Sequence, residues 1–275
     1  MNTKNYAELA ERARRIRINA LKAIHAAKSG HPGGSLSAAD IIATLYFEVL
    51  NIDPQEPDKA DRDKFIISKG HAVPALYAAL GERGFYDVDD MMTLRQVDSR
   101  FQGHPNMHKV PGIEMSTGSL GQGFSAAVGM AIAGKIDNNP GRVYVLAGDG
   151  ELQEGIVWEA AMQAAHRHLD NLVAIVDLNG LQIDGKVSDV KEVGPVDEKF
   201  KSFGWNVIVV DGHSYDELIR AFAEAKECKT APTAIIAHTH KGKGVSFMED
   251  NAGWHGKAPG DEELATAIEE LGGDN

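Results

Sequence analysis

The feature that most constrains the fold is a series of short apolar runs, rich in β-branched residues, which alternate with longer stretches of helical periodicity. The runs occupy residues 65–68, 143–147, 172–178, 206–211 and 233–238. They are apolar at almost every position, which is typical of strands covered on both faces of a parallel sheet. The intervening helical stretches include residues 122–136, 155–168 and 215–228. We therefore predict an α/β fold with a doubly wound, mostly parallel sheet and helices on both faces.

Further helices are predicted near the two ends of the chain. Apolar residues recur at helical spacing over about residues 6–27, and Gly30 provides a stop for that helix. A second helix is expected over about residues 38–49, and a last one over about residues 261–271. The polar ending GGDN, residues 272–275, resembles a natural, frayed terminus.

Composition and charge exclude several classes of protein. With 275 residues, of which 43% are hydrophobic, the chain can bury the core of a single α/β domain over residues 1–275. A net charge of -12 argues against a nucleic-acid-binding surface, which needs clustered Lys and Arg. No apolar run approaches the ~20 residues that cross a bilayer, and the single cysteine, Cys228, excludes an internal disulfide. We expect a cytoplasmic protein that binds neither nucleic acid nor membranes.

Polar residues follow two neighbouring strands where the strands end. Asp149 follows the run at 143–147 and lies between two glycines, and Asn179 follows the run at 172–178. One βαβ unit connects them, so both side chains should reach the edge of the sheet at which α/β proteins bind ligands. Mg²⁺ prefers oxygen ligands in an octahedron. A carboxylate, an amide oxygen and a backbone carbonyl near Leu181 can supply half of these, and a diphosphate with water can supply the rest.

The same residues also permit a purely structural interpretation. A Gly-Asp-Gly sequence can be a tight strand-to-helix turn, and Asn179 can simply adopt a left-handed turn conformation. The residues alone leave both interpretations open. Two polar strand ends joined by one βαβ unit nevertheless favour a binding site over a single turn.

A second glycine-rich segment superficially resembles a dinucleotide-binding sequence. Gly118, Gly121 and Gly123 follow the spacing G-x-x-G-x-G, whereas the dinucleotide fingerprint is G-x-G-x-x-G. No clear apolar strand precedes the segment, and no acidic ribose ligand follows at the expected distance. We therefore exclude a nicotinamide site at this position.

The motifs of this chain resemble those of the transketolase family. The two strand ends, GDGELQEG and IVDLNGLQIDG, resemble its thiamine diphosphate signature. The remaining motifs follow in the family's order over almost the whole chain: KSGHPGG (28–34), SKGHAVPALYA (68–78), FQGHP (101–105), TGSLGQG (117–123) and WHGKAP (254–259). The resemblance implies that the chain binds thiamine diphosphate and Mg²⁺.

The resemblance also implies a role for individual residues. The implied metal ligands are Asp149, Asn179 and the carbonyl oxygen of Leu181. The implied contacts to the cofactor come from His71, Gly118, Leu120, Gly150, Asn179 and His255. The implied catalytic residues are His31, His104, His255 and Glu154. Among these, His31 and His104 face the substrate, and Glu154 resembles the carboxylate that joins two active sites across a subunit interface.

The chemistry explains why histidines recur in these motifs. Thiamine diphosphate carries out the difficult carbon chemistry, so the protein must anchor it and move protons near neutral pH. Histidine is the side chain suited to that range. A single histidine in a loop is usually a surface residue, but His31, His71 and His104 each lie beside Gly or Pro within a family motif. No motif assigns a role to His238 or His240.

A complete transketolase continues with a pyrimidine-side domain and a C-terminal domain, which hold the cofactor's aminopyrimidine ring and most contacts to the sugar phosphate. No Glu of this chain matches the glutamate that activates that ring. The resemblance therefore implies a diphosphate-side domain that is inactive alone and is completed by a C-terminal transketolase subunit, in an α2β2 assembly. The implied reaction transfers a two-carbon ketol unit from a ketose phosphate to an aldose phosphate.

Several alternatives share this half of the enzyme. One is a transketolase-like enzyme for a specialised ketose phosphate. Another is the diphosphate-binding subunit of a 2-oxo acid dehydrogenase, against which the three motif histidines argue because its substrates are not polyhydroxy sugars. Two further alternatives are that the chain is a cofactor-binding scaffold without catalytic activity, or that it is a piece of a longer enzyme.

Overall fold

A five-stranded parallel sheet forms the centre of the structure, which is a computed structural model that describes residues 6–273. Its strands are β1 (Lys64–Ile67), β2 (Val143–Gly148), β3 (Leu172–Leu178), β6 (Asn206–Asp211) and β7 (Thr233–His238). Their order is β1-β2-β3-β7-β6, and each neighbouring pair is parallel. A short antiparallel hairpin, β4 (Leu181–Gln182) and β5 (Gly185–Lys186), follows β3.

α-Helices precede, connect and follow these strands. They are α1 (Tyr6–Ala27), α2 (Pro32–Thr44), α3 (Val73–Arg83), α4 (Gln122–Ile136), α5 (Gly155–His166), α6 (Val187–Val190), α7 (Val196–Ser202), α8 (Tyr215–Glu227) and α9 (Asp261–Glu270). None of the helices within residues 6–273 has the length and apolar character needed to cross a membrane. Of the predicted polar ending, Asp274 and Asn275 lie outside the described residues.

The sheet separates two hydrophobic clusters because successive side chains of a strand point to opposite faces. On one face, Val145 and Ala174 pack with residues of α4, α5 and α7. On the other face, Leu146 and Ile175 pack with residues of α1, α2, α3 and α8. This arrangement confirms the predicted doubly wound α/β fold with helices on both faces.

The second helix begins earlier than the sequence predicts. The periodicity indicates residues 38–49, but α2 starts at Pro32, whose fixed φ suits the first helical position. Gly33 lies inside the helix because space is limited there: a Cβ atom would lie 3.0 Å from the carbonyl oxygen of Trp254. At the other end the helix continues as one π-helical turn, Leu45–Val49. Tertiary packing therefore outweighs the low helix propensity of glycine.

The five predicted strands are present, with small shifts at their ends, and the first and fourth helices match their predicted ranges. The sequence analysis did not identify α3 or the β4–β5 hairpin. Both follow directly on strands of the central sheet, at the edge where the predicted site residues lie.

Ile175→Ala tests the central core. Ile175 is fully buried in β3, so we expect the substitution to lower the free energy of unfolding by about 2–5 kcal/mol. Urea unfolding followed by circular dichroism measures this change. Ile136→Ala is the matched control because Ile136 is 73% exposed, and it should shift stability by about 0.5 kcal/mol or less. Equal losses in the two variants would contradict the assignment of the core.

Candidate functional site

A cavity of about 310 Å³ opens at the carboxyl ends of β1, β2 and β3. Its walls come from the start of α2, from the loops after these strands, from the glycine-rich loop before α4 and from the segment after β7. The structure brings ten predicted site residues together around it: His31, His71, Gly118, Leu120, Asp149, Gly150, Glu154, Asn179, Leu181 and His255. The position agrees with the rule that α/β sheets bind ligands beyond the carboxyl ends of their strands.

Asp149 is held in place by backbone amides at the end of β2. Its side chain is 3% exposed, and its oxygens accept hydrogen bonds from the N–H groups of Gly150, at 2.8 Å, and Gly180. Burial, followed by the negative charge of Asp177, raises the pKa of Asp149 to about 6. The side-chain oxygen of Asn179 accepts a hydrogen bond from the Leu181 N–H at 3.1 Å. The three predicted metal ligands therefore lie in adjoining turns at one sheet edge.

Two buried lysines give the cavity positive charge. The ammonium group of Lys241 donates to the carbonyl oxygen of Leu181 at 3.0 Å, so this carbonyl already faces a cation. Lys69 donates to the carbonyl oxygen of Gly34 at 3.1 Å and forms an ion pair with Asp177. Burial, followed by the charge of Lys69, lowers the pKa of Lys241 to about 8. Such a pair of cations is suited to an anionic ligand.

The sequence analysis missed both lysines, although each stands at an informative position. Lys69 precedes the predicted His71 in the motif SKGHAVPALYA, and Lys241 follows β7 at the functional edge of the sheet. A lysine beside glycine is usually a surface residue. Their burial, at 2% and 3% exposed, is what distinguishes them.

His31, His71 and His255 form a triangle on one wall of the cavity. The distances between ring centroids are 5.1 Å for His31 and His71, 5.0 Å for His71 and His255, and 5.5 Å for His31 and His255. Burial, with nearby positive charges, lowers the pKa of His31 to about 4 and of His255 to about 3, and lowers that of His71 as well. The rings are therefore neutral at pH 7. The Nδ1 atoms of His31 and His255 are buried without a hydrogen-bonding partner in residues 6–273.

His104 lies at the rim of the cavity and is exposed. The imidazole ring of His104 lies against the backbone of Gly118, which has a φ of +150°. A Cβ atom at Gly118 would lie 2.9 Å from Cδ2 of His104, so only glycine leaves room for the ring. Partial burial, followed by the positive charge of Arg95, lowers the pKa of His104. The structure therefore places His104 beside the predicted site rather than within its wall.

Glu154 occupies the edge of the same cavity at the start of α5. Its side chain is exposed, and it makes no capping hydrogen bond to the helix. Within residues 6–273, no hydrogen bond or ion pair engages its carboxylate. The group is thus available to a molecule outside this chain.

The donor set fits a metal-bound diphosphate. No group of three or more His, Cys, Asp or Glu residues suited to a metal ion occurs in the described part of the chain. A metal at this edge would instead use one carboxylate, one amide oxygen and one carbonyl, from Asp149, Asn179 and Leu181. Hard oxygens that leave positions for phosphate and water suit Mg²⁺. The two lysines supply the charge that a diphosphate requires.

Comparisons with known proteins identify the family of the chain. The family model described as transketolase, thiamine diphosphate binding domain, matches residues 9–275. The 6-deoxy-6-sulfo-D-fructose transketolase subunit SqwG of Clostridium sp. is 43% identical over 96% of both chains. An apulose-4-phosphate transketolase subunit from Phocaeicola vulgatus is 42% identical over 90% of this chain and 88% of its own length. Human transketolase is 46% identical over 90% of this chain, which spans 40% of the human protein.

Solved structures give the same result. The transketolase from Campylobacter jejuni superposes with a TM-score of 0.92 at 36% identity, over all of this chain and 44% of its own. The transketolase from Leishmania mexicana superposes with a TM-score of 0.91 at 36% identity, over 97% of this chain and 41% of its own. The chain therefore belongs to the transketolase family and constitutes its thiamine diphosphate-binding N-terminal domain.

Proposed function

We propose that this chain is the N-terminal subunit of a thiamine diphosphate- and Mg²⁺-dependent transketolase, which transfers a two-carbon ketol unit from a ketose phosphate to an aldose phosphate. One observation carries the proposal. A single cavity combines the oxygen set of Asp149, Asn179 and Leu181 with two buried lysines and a triangle of neutral histidines. The oxygen set would suit the metal, the lysines the diphosphate and the histidines the hydroxyl groups of a sugar substrate.

In this proposal the loops after β2 and β3 hold the metal and the diphosphate. Asp149, Asn179 and the Leu181 carbonyl would ligate Mg²⁺. The ammonium of Lys241 contacts the Leu181 carbonyl, and the backbone N–H of Gly150 contacts Asp149. Both are donors that suit phosphate oxygens. His71 and His255 would add ring N–H donors, and Gly118 and Leu120 would contact the cofactor from the facing loop.

The histidines would handle protons at the substrate. When bound, thiamine diphosphate supplies the nucleophilic carbon and the electron sink for ketol transfer. His31 and His255 both line the cavity and are neutral at pH 7. A neutral imidazole has one donor and one acceptor nitrogen, so each ring could exchange a proton or a hydrogen bond with a substrate hydroxyl group. His104 would contact the substrate from the rim.

The proposal includes a partner chain. Two relatives that match this chain over most of their own length are named as transketolase subunits, whereas the single-chain human enzyme extends well beyond it. We propose that residues 1–275 form one diphosphate-side domain. A C-terminal subunit would carry the pyrimidine-side and C-terminal domains in an α2β2 assembly, with Glu154 joining two active sites. Cys228, a free thiol, fits the proposed cytoplasmic location.

The donor sugar defines a second candidate function. The two relatives named as subunits are named for 6-deoxy-6-sulfo-D-fructose and for apulose 4-phosphate, not for a common ketose. These names give weak support to the alternative of a transketolase-like enzyme for a specialised ketose phosphate, because only one of the two named sugars carries a phosphate. Both candidates use the same cavity, so a panel of donors decides between them.

Reconstitution with the complementary subunit tests the proposal. We expect ketol transfer only in the mixture, with thiamine diphosphate and Mg²⁺ present. Asp149→Ala should reduce this activity by about 100-fold or more, because it removes the only carboxylate of the metal set. Asp58→Ala is the control, since Asp58 is an exposed carboxylate outside the cavity. A coupled assay with common ketose phosphates, 6-deoxy-6-sulfo-D-fructose and apulose 4-phosphate as donors measures the rates. Full activity of this chain alone would contradict the need for a partner chain, and no activity with any donor would contradict the reaction.

The pH dependence of cofactor binding tests the role of Asp149. A carboxylate must lose its proton to ligate a metal, and the pKa of Asp149 is raised to about 6. Mg²⁺-dependent affinity for thiamine diphosphate should therefore fall as the pH drops through 6, by about tenfold between pH 7.5 and 5.0. Isothermal titration calorimetry measures this change. Asp149→Asn should bind more weakly and with a shallower pH dependence, and identical pH profiles for the two proteins would argue against the role.

A further inference from the structure

Glu151 lies at the point where three loops of the cavity meet. We call these the cavity loops: residues 68–71 after β1, residues 117–124 at the start of α4, and residues 148–150 at the end of β2. Glu151 itself is 2% exposed. A carboxylate buried to this extent needs partners for its oxygens, since an unpaired one is costly to remove from water.

Each cavity loop donates one hydrogen bond to Glu151. Its Oε1 atom accepts from the hydroxyl group of Ser68 and from the N–H of Gly121, the latter at 2.8 Å. Its Oε2 atom accepts from the N–H of Gly148 at 3.1 Å. One side chain thus connects the ends of β1 and β2 with the first turn of α4.

The direction of these hydrogen bonds is fixed. The Ser68 hydroxyl accepts a hydrogen bond from the N–H of Phe124 at 2.9 Å, which leaves its own hydrogen for Glu151. The other two donors are backbone N–H groups, which cannot accept. The group at position 151 must therefore accept at both of its terminal atoms. A glutamine of the same size accepts at one only, and its NH₂ would face a donor.

The cavity loops are packed so closely that small displacements matter. A Cβ atom at Gly70 would lie 2.8 Å from the Gly118 nitrogen, and one at Gly123 would lie 2.8 Å from the Cα of Ser68. Two of these loops carry His71 and Gly118, and the third carries Asp149. Any change that separates the loops therefore moves predicted cofactor contacts on all of them.

We propose that Glu151 is a positioning residue that holds the three cavity loops together and so presets the site for its ligand. The identity of that ligand as Mg²⁺ and thiamine diphosphate rests on the proposed function. The arrangement of the loops does not rest on the proposed function, because the hydrogen bonds that hold it are all formed within this chain.

Hydrogen exchange of this chain without cofactor tests the inference directly. In Glu151→Gln we expect amide exchange to accelerate by about tenfold or more in the cavity loops and to change little in α1 and α8. In the complex with the C-terminal subunit, the dissociation constant for thiamine diphosphate with Mg²⁺ should rise about 10- to 100-fold. The kcat at saturating cofactor should change much less, because Glu151 acts on binding through the loops.

Three further variants separate positioning from general stability. Glu159→Gln makes the same chemical change at an exposed site on α5 and should leave loop exchange and affinity unchanged. Leu218→Ala disturbs the buried face of α8 and should lower stability without raising the dissociation constant. Ser68→Ala removes one donor and keeps the carboxylate, so it should loosen the same loops less strongly and serves if Glu151→Gln does not fold.

Two results would overturn the inference: an exchange pattern in Glu151→Gln and Ser68→Ala that is no different from that of Leu218→Ala, or an unchanged dissociation constant. A failure of the proposed function is distinguishable from these. If the wild-type complex binds no thiamine diphosphate but the substitutions loosen only the cavity loops, the proposed function is wrong and the positioning role of Glu151 stands.

Discussion

A buried ion pair between Lys69 and Asp177 is the interaction on which the geometry of the site depends. Lys69 is 2% exposed and Asp177 is fully buried. Removing two charges from water is costly and is offset only when the remaining hydrogen-bonding positions are filled. In this pair those positions are filled, because Lys69 also donates to the Gly34 carbonyl and Asp177 accepts hydrogen bonds from the hydroxyl groups of Ser37 and Thr239. The pair thereby joins α2, the loop after β1, the end of β3 and the segment after β7.

The same carboxylate shapes the electrostatics of the predicted metal site. Asp177 accepts a hydrogen bond from the amide nitrogen of Asn179 at 3.3 Å, which directs the amide oxygen away from it. Its negative charge also contributes to the raised pKa of Asp149. Lys241, which lies against the Leu181 carbonyl, opposes that rise with a positive charge. Asp149 and Asp177 are thus opposed by the ammonium groups of Lys69 and Lys241 at the end of one sheet.

The sequence was sufficient for the fold class and for the edge of the sheet at which the predicted site residues gather, for a common reason. Strand ends of a parallel sheet share one edge, so placing the strands also places Asp149 and Asn179. What it could not predict depends on tertiary packing of single residues. Glu151 and Glu154 lie three residues apart in GDGELQEG, and only the structure shows that the former is buried among loops and the latter is exposed. The early start of α2 also depends on tertiary packing, since close packing at Gly33 outweighs the low helix propensity of glycine.

The spread of the cavity walls along the chain has a consequence for folding. The walls begin at His31 and end at His255, and the connection from β1 to β2 passes through residues 68–142. Parallel strands need such long crossovers, and contacts between distant residues form slowly. The walls of the cavity therefore come together only once β1, β2, β3 and β7 have paired. A fragment that lacked either α2 or the segment after β7 would lose one wall of the cavity, however stable the rest of it was.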